Sequence, residues 1–290
     1  MAIKASEVKA LREKTGAGML DCKKALQETD GDLDKAIDYL REKGISKAEK
    51  KADRIAAEGL ANVVKNEQKA VIYELNSETD FAAKNEQFTG LLEKIGQTLL
   101  ANDVKTTEEA LKVDVDGRTL DEYIVATAAK IGEKITLRRV EVVEKTDTQI
   151  VGSYVHMGGK IAALALLEGG DAQTAKDVAM HVAAINPRYL QEDDISDDVI
   201  EHEKELLRKE ALNEGKPEHI VDKMVTGRLK KYLKEICLVH QPFVKDQDQS
   251  VGDYVKQSDA QIVTFKRFEV GEGVEKNEKD FASEVQSQMK

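Results

Sequence analysis

The chain has 290 residues, of which 34% are charged, and a formal net charge of −11 at pH 7. That length allows two or more domains, since roughly 100–200 residues make one, and the acidic balance disfavours nonspecific binding to nucleic acid. Aromatic residues make up 4% and Trp is absent, so surfaces for stacking single-stranded bases are scarce.

Charge is uneven: residues 1–55 carry 13 Lys/Arg against 11 Asp/Glu. This predicts a protein partner met by a mixed-sign surface, with no direct nucleic acid contact. Cys22 and Cys237 stand without CxxC or metal-type spacing, which predicts free thiols in a reducing cytoplasm. No signal peptide and no apolar run of membrane-spanning length is present, so no membrane partner is expected. The longest apolar stretch, Ile161 to Leu167, suits a buried strand.

In chain order, residues 1–44 read as three short helices. Ser6 can cap the first, with Val8 and Leu11; Asp21 the second, with Cys22, Ala25 and Leu26; Asp32 the third, with Leu33, Ala36, Ile37 and Leu40. Gly44 is expected to supply a left-handed stop. The form resembles a ubiquitin-associated module, and with a Lys/Ala/Glu-rich linker it makes a first unit at 1–55.

Leu60–Val64 and Ala70–Leu75 read as a hairpin. Thr79 or Asp80 then opens a helix with Phe81, Phe88, Leu92, Ile95 and Leu99 on one stripe. A helix at Leu120–Ile131 and a strand at Ile135–Val143 complete a subdomain at 56–150. The plan then repeats. Gly152–His156 and Lys160–Leu167 flank Met157-Gly-Gly159, and Asp171 precedes a helix bearing Ala175, Val178, Ala179 and Val182.

Residues 187–236 differ in kind. Residues 192–214 hold 10 acidic and 3 basic side chains, and residues 216–234 hold 6 basic and 2 acidic. Two apolar-striped arms of opposite charge joined by Asn213–Pro217 predict an antiparallel coiled-coil hairpin. It is inserted in a second subdomain at 151–186 and 237–275, which takes a strand at Ile262–Val270. A terminal helix at 276–290 follows. The expected fold class is α+β: a three-helix module and two similar subdomains of antiparallel sheet plus helix.

Motifs of reaction chemistry are missing. Gly158-Gly159-Lys160-Ile161 lacks the spacing and hydroxyl of a phosphate-binding loop, and His202-Glu203 is not continued to a second histidine. The five histidines are scattered, and no Gly-x-Ser-x-Gly turn occurs. We expect no catalytic residues, metal, cofactor or bound nucleotide; the chain acts by binding and is not an enzyme. Two loops are binding candidates. The glycines of Thr15–Leu20 can leave Met19 and Leu20 projecting, although spacing alone favours both as core plugs. Thr79-Asp80-Phe81 can project likewise, although periodicity alone favours Phe81 as an ordinary core residue.

The stretch Leu11-Arg-Glu-Lys-Thr-Gly-Ala-Gly-Met-Leu-Asp-Cys-Lys-Lys-Ala-Leu26, together with Thr79-Asp80-Phe81 after a hairpin, resembles the elongation factor Ts family. Gly152-Ser-Tyr-Val-His156, Met180–Ala184, Gly215-Lys-Pro217, Gln241-Pro-Phe243 and Arg267–Gly273 agree in order. The resemblance implies a guanine-nucleotide exchange factor that binds elongation factor Tu, GDP-bound and nucleotide-free, and dislodges Mg²⁺. Thr79, Asp80, Phe81 and Ala82 would act on the nucleotide-binding domain. Leu11, Met19, Leu20 and His156 would be further contacts. The glycine-rich turn after His156 departs from the family pattern and is expected to be pliant. A homodimer through the hairpin stays open. The rival reading is a ubiquitin-associated-type peptide adaptor or chaperone.

Overall fold

In the computed structural model, residues 3–15, 17–49, 51 and 53–274 are described. Three helices, α1 (Ala5–Thr15), α2 (Met19–Glu28) and α3 (Leu33–Glu49), close around Val8, Leu11, Cys22, Ala25, Leu26 and Ala36. Asp32 caps α3 as expected, its Oδ1 accepting from the N–H groups of Asp34 and Lys35, each at 3.1 Å. Ser6 does not cap α1, which already begins at Ala5; the Glu7 carboxylate instead accepts from the Lys4 N–H at 2.9 Å. Asp21 does not cap α2 either. That helix starts at Met19 after Gly18, and Asp21 sits in its first turn, where a carboxylate suits the positive helix end. Gly44 is no stop: α3 runs to Glu49 and packs on the helix at Leu120–Ile131, with Gly44 buried facing Ala129. Tertiary packing overrides the local helix-ending preference.

The first subdomain holds β1 (Glu58–Lys65), β2 (Lys69–Ser77), the short α4 (Asp80–Ala83), α5 (Glu86–Ala101) and α6 (Thr107–Leu111). A two-stranded ribbon, β3 (Asp114–Val115) and β4 (Arg118–Thr119), then leads into α7 (Leu120–Ile131) and β5 (Ile135–Glu144). Its sheet is antiparallel with order β1-β2-β5. Alternation along β2 sends Val71, Tyr73 and Leu75 toward α5 and α7, and Ala70 and Ile72 to the other face.

The second subdomain repeats the topology. β6 (Gln149–His156) and β7 (Ile161–Gly169) form the hairpin, α8 (Ala172–Ile185) covers it, and the third strand is β10 (Ala260–Glu269), in order β10-β7-β6. In each sheet the second hairpin strand is central. Asp171 caps α8 through the N–H groups of Gln173 and Thr174. A Cβ at Gly152 would stand 2.0 Å from the Ala175 carbonyl, so only glycine lets α8 lie this close to β6. The two sheets face each other through Ala61, Ile72, Val151, Leu164 and Phe268, among others, with helices on both outer faces. The fold is α+β.

One buried carboxylate ties the halves together. Glu74 on β2 is fully buried and accepts from Arg139 Nε at 2.6 Å, Arg138 at 3.1 Å and the Gly271 N–H at 2.9 Å. Burial opposes its charge, but these donors win and hold its pKa below the ordinary value.

Between α8 and β10 the chain makes α9 (Asp197–Asn213) and α10 (Glu218–Ile236), then β8 (Pro242–Phe243), β9 (Asp246–Ser250) and α11 (Val251–Lys256). The arms pair in both senses: Arg228 of the basic arm meets Glu214 at 2.8 Å and Glu210 at 3.8 Å on the acidic one, and Arg208 of the acidic arm meets Asp222 of the basic one. The hairpin is rooted in the body by Tyr189, Ile195, Leu233, Ile236 and Cys237. Cys22 and Cys237 are free and buried, and burial pushes the Cys237 thiol up to about 11. The terminal helix expected at 276–290 lies outside the described residues.

Candidate functional site

Thr79 opens α4, its hydroxyl oxygen accepting from the Ala82 N–H at 3.2 Å. The helix stops after four residues, and Asn85 caps the next one by accepting from the Gln87 N–H at 2.8 Å. This break rotates Phe81 off the buried stripe of α5. Phe88, Leu92, Ile95 and Leu99 stay in the core, whereas the Phe81 ring is 79% exposed. The periodic reading that made Phe81 a core residue fails there. Ala82, expected with Phe81 as a partner contact, is instead buried, its N–H bonded to the Thr79 hydroxyl, so its side chain supports the turn and offers no surface.

Asp80 pairs with Lys84 Nζ at 2.7 Å, and that ammonium lies 5.9 Å from the centre of the Phe81 ring. The Lys84 hydrogen bond holds the Asp80 carboxyl below its ordinary pKa. The turn thus presents an apolar ring beside an ionised carboxylate and a cation. Lys84 was missed by sequence reasoning, although its i, i+4 spacing from Asp80 was a usable signal.

A second support was also missed. Glu133, just past the end of α7, accepts from the Thr79 N–H at 2.9 Å and from the Thr79 hydroxyl at 2.6 Å. The neighbouring Lys134 N–H donates to Glu78 at 2.6 Å, and Glu78 also takes Arg54 at 3.1 Å.

In the amino-terminal module Met19 is 48% and Leu20 83% exposed. Both occupy the first turn of α2, while Cys22, Ala25 and Leu26 face inward. The core reading of this pair fails. Leu11 was expected to be a partner contact, yet it is fully buried at the centre of the module. Its side chain has no surface to offer, and it supports the turn that carries Met19.

His156 is exposed at the end of β6, 6.0 Å from the Tyr154 ring, and Met157 beyond it is 69% exposed. Met157, Gly158 and Gly159 all have positive φ, at 51, 64 and 103°. Gly159 is buried, with Leu60 2.9 Å from where its Cβ would lie, and Lys160 pairs with Glu58 at 2.6 Å. Among the described residues no group of three or more His, Cys, Asp or Glu could hold a metal ion, and no helix is long and apolar enough to cross a membrane.

A family model described as "Elongation factor TS" matches residues 78–272, which begins at the Thr79 turn. Two proteins named elongation factor Ts, from Limosilactobacillus reuteri strain DSM 20016 and L. reuteri subsp. reuteri strain JCM 1112, are each 55% identical over 287 residues. The alignment covers 99% of both chains in each case. The chain belongs to the elongation factor Ts family. Its role is nucleotide exchange on elongation factor Tu in translation. The adaptor reading rested on residues 1–44 alone and gives way to a match over the whole chain.

Proposed function

We propose that the factor works by differential binding, with Asp80 and Phe81 as the element that acts on the nucleotide site of elongation factor Tu. The ring and the carboxylate enter the nucleotide-binding domain, move the groups that hold phosphate and Mg²⁺, and lower the partner's hold on GDP. By linkage, a factor that binds the nucleotide-free partner more tightly than the GDP-bound one must weaken nucleotide binding by the same ratio. The factor's own chain makes and breaks no bond and takes up no nucleotide. Met19, Leu20 and His156 hold the partner while this happens, in the cytoplasm.

The observation that carries this reading is the placement of one ring. Phe88, Phe243 and Phe268 are buried, whereas Phe81 stands out from a capped turn beside an ion pair. Leaving a large apolar side chain in water forgoes about 1.5–3 kcal/mol of burial, which fits a side chain that is covered in a complex. The test is release of labelled GDP from elongation factor Tu. Phe81→Ala should lose most of the acceleration while retaining most of the affinity. Native acceleration by Phe81→Ala would overturn the reading.

Domain boundaries are part of the same proposal. We place the first unit at 1–55, the two halves of the body at 56–150 and at 151–186 with 237–275, and the hairpin at 187–236. Contact of the hairpin with a second copy of the chain is left to measurement of mass in solution.

A further inference from the structure

We propose that Glu133 is a positioning residue for exchange: by gripping Thr79 through both its N–H and its hydroxyl, it fixes the turn that presents Asp80 and Phe81. The inference rests on the reading of Phe81 given above.

An ionised carboxylate has no proton to give. The Thr79 hydroxyl must therefore donate to Glu133 Oε1, at 2.6 Å, and its lone pairs are left to accept from the Ala82 N–H at 3.2 Å. Glu133 thus sets the rotor of the very hydroxyl that caps α4. Its other oxygen takes the Thr79 N–H at 2.9 Å, so one side chain fixes both the backbone and the cap. The four residues of α4 are far below the length at which a helix holds itself. The Ala83 N–H to Thr79 carbonyl bond is also long, at 3.4 Å. External support decides the position of this turn.

Glu133 is itself held. Gly132 ends α7 with φ 90°, and the Lys134 N–H donates back to Glu78 at 2.6 Å. Residues 78–79 and 133–134 therefore form a reciprocal clasp, each pair giving a carboxylate to the backbone of the other. Lys134 Nζ also reaches the Arg54 carbonyl at 2.9 Å, and Arg54 pairs with Glu78. The segment leading from the amino-terminal module is fastened to the same clasp.

The experiment is GDP release from elongation factor Tu loaded with labelled GDP, with Glu133→Gln and Glu133→Ala made in the full chain and in a Phe81→Ala background. Misplacing a positioned group lowers a rate by up to about a hundredfold. We expect the rate at saturating factor to fall about tenfold for Glu133→Ala, with a smaller rise in the half-saturating concentration. Glu133→Gln, which keeps one acceptor, should fall between the two. In the Phe81→Ala background Glu133→Ala should cost clearly less than in the native chain, because only Asp80 is left on the turn for it to position. Circular dichroism and thermal unfolding verify that each variant is folded. A native rate for Glu133→Ala, or an equal loss with and without Phe81, overturns the proposal. If Phe81→Ala alone exchanges at the native rate, the reading of Phe81 fails first, and Glu133 has no element to position.

Discussion

Phe81 and Phe88 stand seven residues apart, two turns of an unbroken helix, yet one ring lies in solvent and the other in the core. The cause is local. Thr79 and Asn85 each cap a helix start, and two caps six residues apart leave room for a single turn between them. Phe81 rides on that turn, and the stripe restarts at Phe88 in a new frame.

The two rings should therefore respond oppositely to truncation. Phe88→Ala should cost about 3–5 kcal/mol of stability, because it opens a cavity under β2. Phe81→Ala should leave stability within about 0.5 kcal/mol, as befits an exposed position. Urea titration of both variants measures the contrast; equal losses would return Phe81 to the core.

The amino-terminal module offers a matching pair. Met19→Ala with Leu20→Ala should weaken the complex with elongation factor Tu and hardly move the melting temperature, since both side chains are exposed. Leu11→Ala should do the reverse at first sight: it loses about 2–5 kcal/mol of packing and impairs binding only as the module loosens. Calorimetric binding beside thermal unfolding separates the two cases.

Much of this was legible in the sequence, and the failures have physical causes. Alternation and caps disclosed both hairpins, α5, α8 and the charged arms, because those signals are local and agree with the packing. Gly44 misled because α7 supplies a surface that keeps α3 helical. The β3–β4 ribbon was signalled by Asp116-Gly117, both with positive φ, a short-range hairpin cue that went unused. The Glu133–Thr79 grip spans 54 residues; no periodicity reports a contact that only the closed sheet creates. Spacing alone pointed Met19, Leu20 and Phe81 to the core and was wrong, because periodicity cannot see where a stripe begins or is interrupted, whereas the family resemblance pointed them outward.

A pH dependence follows from His181, which is buried on α8. Its Nδ1 accepts from the Val244 N–H at 3.2 Å, so the ring proton sits on Nε2 and donates to Gln241 Oε1 at 2.9 Å. Burial lowers its pKa from 6.5. The unfolded chain takes up the proton first as pH falls, so this residue's contribution is full above about 6.5 and is lost progressively below it. The melting temperature should drop between pH 7.5 and 5.5, and His181→Gln should flatten that drop whatever its effect at neutral pH. An unchanged slope in His181→Gln would place the dependence elsewhere.

The hairpin should divide at its middle. Ile195, Ile200, Leu229, Leu233 and Ile236 pack at the root, while Leu207, Ala211, Val221 and Val225 form a separate distal cluster. Replacing residues 201–228 with a short Gly-rich bridge should therefore leave one cooperative unfolding transition near the native temperature. Cutting at 187 and 236 should be worse, because the Arg188 N–H bonds the Ile236 carbonyl at 2.9 Å and the Leu238 N–H bonds that of Tyr189 at 2.9 Å. Aggregation of the shorter excision would make the distal arms part of the body.

Magnesium gives the most direct check on how Phe81 acts. Mg²⁺ bound with a nucleotide is held by a few protein groups and by the phosphates themselves, so its removal weakens GDP binding with no exchange factor present. If the Phe81 ring and Asp80 act by disturbing that ion, a chelator performs part of their task. GDP release stimulated by the native factor and by Phe81→Ala should then differ most at millimolar Mg²⁺ and converge when the ion is chelated. Asp80→Ala should follow the same trend with a smaller gap, because Lys84 loses its partner but Phe81 keeps its place on the turn. A ring acting on phosphate contacts alone would keep its full advantage in chelator. Rates measured over a Mg²⁺ series for the three proteins decide the matter: converging curves support displacement of the ion, and parallel curves confine Phe81 to the protein groups around the phosphates.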